Sequence, residues 1–118
     1  MALDKLQIFG TKKCKVTRAA ERFFKERRVS YQRVDIAQKG PSAGELRAIA
    51  NAVGGMEALL DRAGKRYVDK GLKYAAPTGP RIEKILLEDP LLLRTPLVRA
   101  GDRATVGEAM ETWKTWLV

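Results

Sequence analysis

The hydrophobic and polar positions of this 118-residue chain form short blocks whose period changes several times. Leu6-Gln7-Ile8-Phe9 is a compact apolar run closed by Gly10, the pattern of a short buried strand. Residues 14–28 follow a helical period. Val16, Ala19, Ala20, Phe23 and Phe24 share one face, and six Lys/Arg residues fall mostly on the other. Val29 to Ile36 predicts a second strand, although its alternation is imperfect. Strand, helix and strand within about 30 residues fit a βαβ unit with parallel strands.

The middle of the chain reads as helical. Pro41-Ser42-Ala43-Gly44-Glu45 is a helix start with Ser42 and Glu45 at capping-box spacing, and Gly54-Gly55 is a stop. Leu46, Ile49, Ala50 and Val53 line one face between them. Met56 to Leu60 is a further short apolar stretch, and Tyr67 to Ala76 fits no single period. Pro80 to Glu88 predicts a helix with Ile82, Ile85 and Leu86 inward, stopped before Asp89-Pro90. Beyond it, Leu97-Val98-Arg99 and Arg103-Ala104-Thr105-Val106 flank Ala100-Gly101-Asp102, a hairpin with Gly-Asp at its turn. After Gly107 a last helix carries Ala109, Met110, Trp113, Trp116 and Leu117 on one face, as core residues.

Charge and rare residues then narrow the chemistry. The net charge is +9, carried by basic residues scattered along the chain. With no helix-turn-helix pattern, zinc knuckle or stacking aromatic repeat, nucleic acid is the disfavoured partner. There is no histidine, so the commonest general base and metal ligand is missing, and no metal site is expected. No apolar run approaches the roughly 20 residues that cross a bilayer. Met1 to Lys5 shows no signal-peptide apolar region. A single cysteine permits no internal disulfide. Together these predict one soluble cytoplasmic domain over residues 1–118.

That cysteine, Cys14, follows the first strand and the loop Gly10-Thr11-Lys12-Lys13 and opens the first helix. Unpaired N–H groups at a helix N-terminus favour an anion there. Lys12, Lys13, Lys15 and Arg18 add cations around the same point. Both effects predict a thiol pKa below that of a free cysteine, and a reactive rather than a buried structural sulfur.

Several segments, in this order and spacing, resemble the arsenate reductase (ArsC)-like family, which includes the Spx regulators and YffB-type proteins. They are Ile8-Phe9-Gly10-Thr11-Lys12-Lys13-Cys14, Arg18, Gly55-Met56-Glu57-Ala58-Leu59-Leu60, Leu91 through Arg94-Thr95-Pro96-Leu97-Val98, and Val106-Gly107. The resemblance implies an α/β, thioredoxin-like fold with a mixed four-stranded sheet and a helical insertion at about 42–88. It implies a nucleophilic Cys14, a cis-proline at Pro96 that places the backbone of Thr95 beside the Cys14 sulfur, and an oxyanion site drawn from Arg94, Arg18, Thr11 and Arg62. Arg62 follows Asp61 rather than Leu60 directly, one place beyond the family's arginine. Arg99 and Arg103 both lie near the family's hairpin arginine. Lys15-Val16-Thr17-Arg18 stands where the reductases have Gly-Thr-Ser-Arg, and Thr17 stands where Spx proteins carry a second cysteine.

The expected function is therefore a thiol oxidoreductase of the arsenate-reductase type. It has no bound cofactor, and its lone sulfur needs an external thiol, glutathione or a glutaredoxin, to complete turnover. Its substrate is a small oxyanion or a mixed disulfide. The alternative is an Spx-like regulator that binds a protein partner such as RNA polymerase.

Overall fold

The computed structural model describes residues 6–75 and 77–117. The expectations placed on Met1 to Lys5 and on Ala76 lie outside these residues. A four-stranded sheet organises the chain, in the order β2-β1-β3-β4. β1 (Leu6–Gly10) pairs parallel with β2 (Gln32–Asp35) and antiparallel with β3 (Leu97–Ala100), which continues through a tight turn into β4 (Arg103–Val106). The sheet is mixed because α1 (Lys15–Glu26) carries the chain back between the parallel pair, while the Gly101-Asp102 turn reverses it at once.

Alternation along the central strands divides the core. Leu6, Ile8, Val98 and Ala100 pack with Ala20, Phe23 and Phe24 of α1 and with Trp113 and Trp116 of the final helix. Phe9 and Leu97 point the other way, onto Leu46, Ile49, Ile82 and Leu86 of the insertion. The final helix, Met110–Trp116, is fixed to the sheet by Trp113, whose Nε1–H donates to the buried Thr105 hydroxyl at 2.8 Å.

Two predicted elements are shorter than their patterns. α1 ends at Glu26, because Arg27 and Val29 send their amides back to Phe24 and Arg28 turns to a positive φ of 58°. β2 is confined to Gln32–Asp35. It is an edge strand with β1 as its one partner, so Val29 and Tyr31 instead pack half-buried under α1.

The insertion contains α2 (Ala43–Val53), two short helices α3 (Lys65–Asp69) and α4 (Leu72–Ala75), and α5 (Gly79–Glu88). The segment without a clear period is thus a pair of single-turn helices. Ser42 caps α2 reciprocally: the Glu45 amide donates to Ser42 Oγ at 3.1 Å and the Ser42 amide to Glu45 Oε1 at 2.9 Å. Gly54 ends it at φ 97°, a left-handed conformation that a side chain resists. A single-turn 3-10 helix, Met56–Leu59, then anchors the insertion beside the sheet. The Asp61 amide donates to Leu92 O and the Arg94 amide to Leu59 O, at 2.9 and 2.8 Å. These bonds fix the approach to β3.

Removing the capping hydroxyl in Ser42→Ala should cost about 1 kcal/mol in urea unfolding. Glu45 has its carboxyl pKa lowered, first by the Ser42 amide. Its contribution is present above the ordinary Glu pKa and is lost as the pH falls through the depressed value. Glu45→Gln should therefore be less stable than the wild type at neutral pH, and the gap should close in acid.

Candidate functional site

The site grows from the junction of β1 and α1. The Cys14 amide donates to Thr11 O at 3.2 Å, closing the loop through Lys12 and Lys13. Cys14 is the N-cap of α1, in extended conformation, and its half-buried sulfur accepts from the Thr17 amide at 3.4 Å. A sulfur replaces the usual cap oxygen, so an orphan helix N–H is satisfied by the group whose charge it favours.

Close packing holds this turn. A Cβ on Gly10 would lie 2.4 Å from Thr17 Oγ1, so only glycine lets α1 approach β1 this closely. Thr17 is 1% exposed, and its hydroxyl closes no hydrogen bond of ordinary geometry. It nevertheless lies close enough to the sulfur to favour the thiolate.

The opposite wall comes from the approach to β3, 81 residues away in sequence. Thr95 Oγ1 donates to Cys14 Sγ at 3.2 Å, and the Thr95 carbonyl lies 3.9 Å from the same sulfur. The Thr95–Pro96 bond is cis. Next to it the exposed Arg94 lays its guanidinium along Gly107, where an added Cβ would meet Nη2 at 3.3 Å. Gly107 has φ 73°, and its amide donates to Pro96 O at 2.8 Å. The Gly107 backbone therefore joins the Arg94 side chain to the turn that touches the sulfur.

The other arginines are distributed differently. Arg18 is exposed one turn along α1, with its amide on Cys14 O. Arg62 is exposed after the Leu60–Leu93 bridge. Arg99 pairs with Gln7 and Ala104, and Arg103 with Ala100, at the end of the sheet away from Cys14. Neither belongs to this site.

Cys14 has its pKa lowered, but not by the expected cations. Burial opposes ionisation. It is outweighed by the Thr17 and Thr95 side chains and by the Thr17 and Val16 amides. Lys12, Lys13, Lys15 and Arg18 are all exposed, where water and salt screen their charge. The helix N-terminus therefore acts as expected, the lysines do not, and the two threonine hydroxyls are what sequence reasoning missed. Thr95→Val should consequently shift the midpoint of Cys14 alkylation against pH upward from a wild-type value below that of a free cysteine. A midpoint unchanged by losing that hydroxyl would contradict the assignment.

The ArsC family profile matches residues 9–116. The chain is 27% identical over 114 residues to an arsenate reductase of Neisseria meningitidis, covering 92% of this chain and 95% of that one. It is also 27% identical over 106 residues to YusI of Bacillus subtilis, covering 86% and 89%. Among solved structures it resembles the YFFB protein, with a TM-score of 0.86 at 22% identity over 97% of this chain and all of that one. It likewise resembles the arsenate reductase of Vibrio cholerae, with a TM-score of 0.81 at 19% identity over 95% and 96%. The turn that presents Cys14 and the segment that presents Thr95 and Arg94 both fall inside the matched span, and the chain belongs to the ArsC family.

Proposed function

We propose that this protein is a thiol-dependent oxidoreductase of the arsenate-reductase type, with Cys14 as its nucleophile and an external thiol as its reductant. The observation that carries this reading is the pairing of two features. The sulfur is held at a helix N-cap by donors that favour its thiolate. The exposed guanidinium of Arg94 lies next to the segment that touches that sulfur.

The chemistry follows from these groups. The thiolate attacks the central atom of a tetrahedral oxyanion such as arsenate, and a protonated oxygen leaves as water. Arginine matches such an oxyanion through its planar fork. Backbone N–H groups at the start of α1 offer further donors. An external thiol then supplies the second sulfur. The S–As electron pair departs with arsenic, which falls from the pentavalent to the trivalent state, while the two sulfurs join as a mixed disulfide. A further external thiol attacks that disulfide and frees Cys14 as thiolate. Because Cys14 is the one cysteine of the chain, glutathione or a glutaredoxin fits the reductant role. With a mixed-disulfide substrate the Cys14 thiolate attacks one of its sulfurs, the other leaves as a thiolate, and the Cys14 mixed disulfide so formed is resolved by the same last step, with no need of an arginine clamp. The Lys15-Val16 departure from the reductase pattern favours slow arsenate turnover.

Arg94→Ala should weaken arsenate or sulfate binding by roughly tenfold to a hundredfold, from the loss of a charged hydrogen-bond partner worth about 1.5–3 kcal/mol. Arg94→Lys should lose less, and Cys14→Ser should bind without turnover. Calorimetric titration checks the binding. A coupled assay with arsenate, glutathione and glutaredoxin checks the turnover. If Arg94→Ala binds as well as the wild type and no thiol donor supports turnover, the oxidoreductase reading fails. A stoichiometric protein partner that survives Cys14→Ser would then favour the regulator.

A further inference from the structure

The solvent face of α1 carries a run of positive charge that extends well beyond the oxyanion site. Lys15, Arg18, Arg22 and Lys25 are all exposed. At about 100° per residue they fall within an arc of about 80°, along about 15 Å of helix. Lys12 and Lys13, also exposed, extend the run past the N-terminus to the rim of Cys14. None of the six takes part in an ion pair among the described residues. Every ion pair there lies elsewhere: Arg33–Glu21, Arg47–Glu83, Lys65–Asp69, Arg66 and Lys70 with Asp89, and Lys114–Glu111. Of the two acids in α1, Glu21 is turned toward Tyr31 and Arg33, and Glu26 sits at the last residue.

Like charges three and four positions apart destabilise a helix. Lys15, Arg18, Arg22 and Lys25 are so spaced. Their charge does not tune the sulfur either, since hydrogen bonds do that. An unneutralised, one-sign surface leading to a reactive group raises the encounter rate of partners with the opposite charge.

We propose that this face of α1 is the docking surface for an acidic protein that exchanges a thiol or disulfide with Cys14. The proposal rests on the thiol chemistry assigned to Cys14 above and names the partner for it. Two features select a protein. Arg22 and Lys25 lie roughly 12–16 Å along the helix from Cys14, beyond a tripeptide-sized thiol seated at the sulfur. The run also begins at a sulfur, whose exchange partner must carry a thiol or disulfide. A nucleic acid has none, and the face offers no aromatic ring for base stacking.

The test uses two synthetic peptides, each with one cysteine activated as a mixed disulfide with thionitrobenzoate. One has a tail of alternating Glu and Gly, and the other has Gln in place of Glu. The Cys14 thiolate attacks the peptide sulfur. The new bond joins those two sulfurs, and thionitrobenzoate leaves with the electron pair of the old bond as a coloured thiolate. The full-length protein should react at least about tenfold faster with the acidic peptide at low salt, and the advantage should vanish at high salt. The double variant Arg22→Glu/Lys25→Glu should lose the advantage. It should keep its rate with the neutral 2,2′-dithiodipyridine within about twofold, and it should melt no lower than the wild type, because the substitutions relieve repulsion. Equal rates for the two peptides, or an advantage kept by the double variant, would overturn the docking surface. A duplex oligonucleotide that binds the same face and displaces the acidic peptide at equal concentration would overturn the choice of partner. Failure of Cys14 to react with the neutral disulfide would instead count against the thiol chemistry itself, so the two failures are told apart.

Discussion

The site depends on how closely the first turn of α1 packs against the end of β1. Gly10 has no side chain, so Thr17 can lie against its backbone, and this sets the helix start at Cys14. With the helix begun there, the Thr17 amide has one acceptor to hand, the Cys14 sulfur. A helix needs its first N–H groups satisfied, and a thiolate needs donors. One contact meets both needs, so the local stability of α1 and the acidity of Cys14 are coupled. A crowded glycine, rather than the surrounding charge, shapes the reactive centre.

The far wall shows what the helical insertion contributes. α2 and α5 pack on the sheet face opposite α1, and they bring no side chain to the sulfur. Their effect is indirect. The 3-10 turn at Met56–Leu59 bonds to the strand approach through Leu59, Asp61 and Leu92. That approach delivers Thr95 to the sulfur and lays Arg94 along Gly107. Residues 42–88 thus act as a brace behind the site. Donors to the sulfur come from both walls, Thr17 on α1 and Thr95 on the strand approach, and the guanidinium is offered from the second.

The legible parts of the sequence were those with local signals. A lone cysteine between an apolar run and an amphipathic helix marked the N-cap, and Ser42 with Glu45 marked a capping box that the structure contains. What local pattern did not carry was register and long-range contact. Arg99 and Arg103 alternate with apolar residues as β-strand residues do. Only the pairing of Gln7 with Arg99 puts them at the wrong end of the sheet for Cys14. Thr95 reaches the sulfur across 81 residues, and its backbone lies there as the cis-proline expected from the resemblance implies, but no signal in the sequence shows that its hydroxyl donates to that sulfur. The error over the lysines has a different source. Sequence shows that cations are near in the chain, but not that they are exposed and screened.

Short-range hydrogen-bond donors, not surface cations, hold the Cys14 thiolate. Ultraviolet absorbance of the thiolate, titrated against pH in low and high salt, tests this most directly when the wild type is compared with a Lys12→Gln/Lys13→Gln/Lys15→Gln variant. The midpoint should lie below that of a free cysteine and should barely move with salt or with loss of the three lysines. A midpoint that climbs to the free-cysteine value when the lysines are neutralised or screened would contradict it.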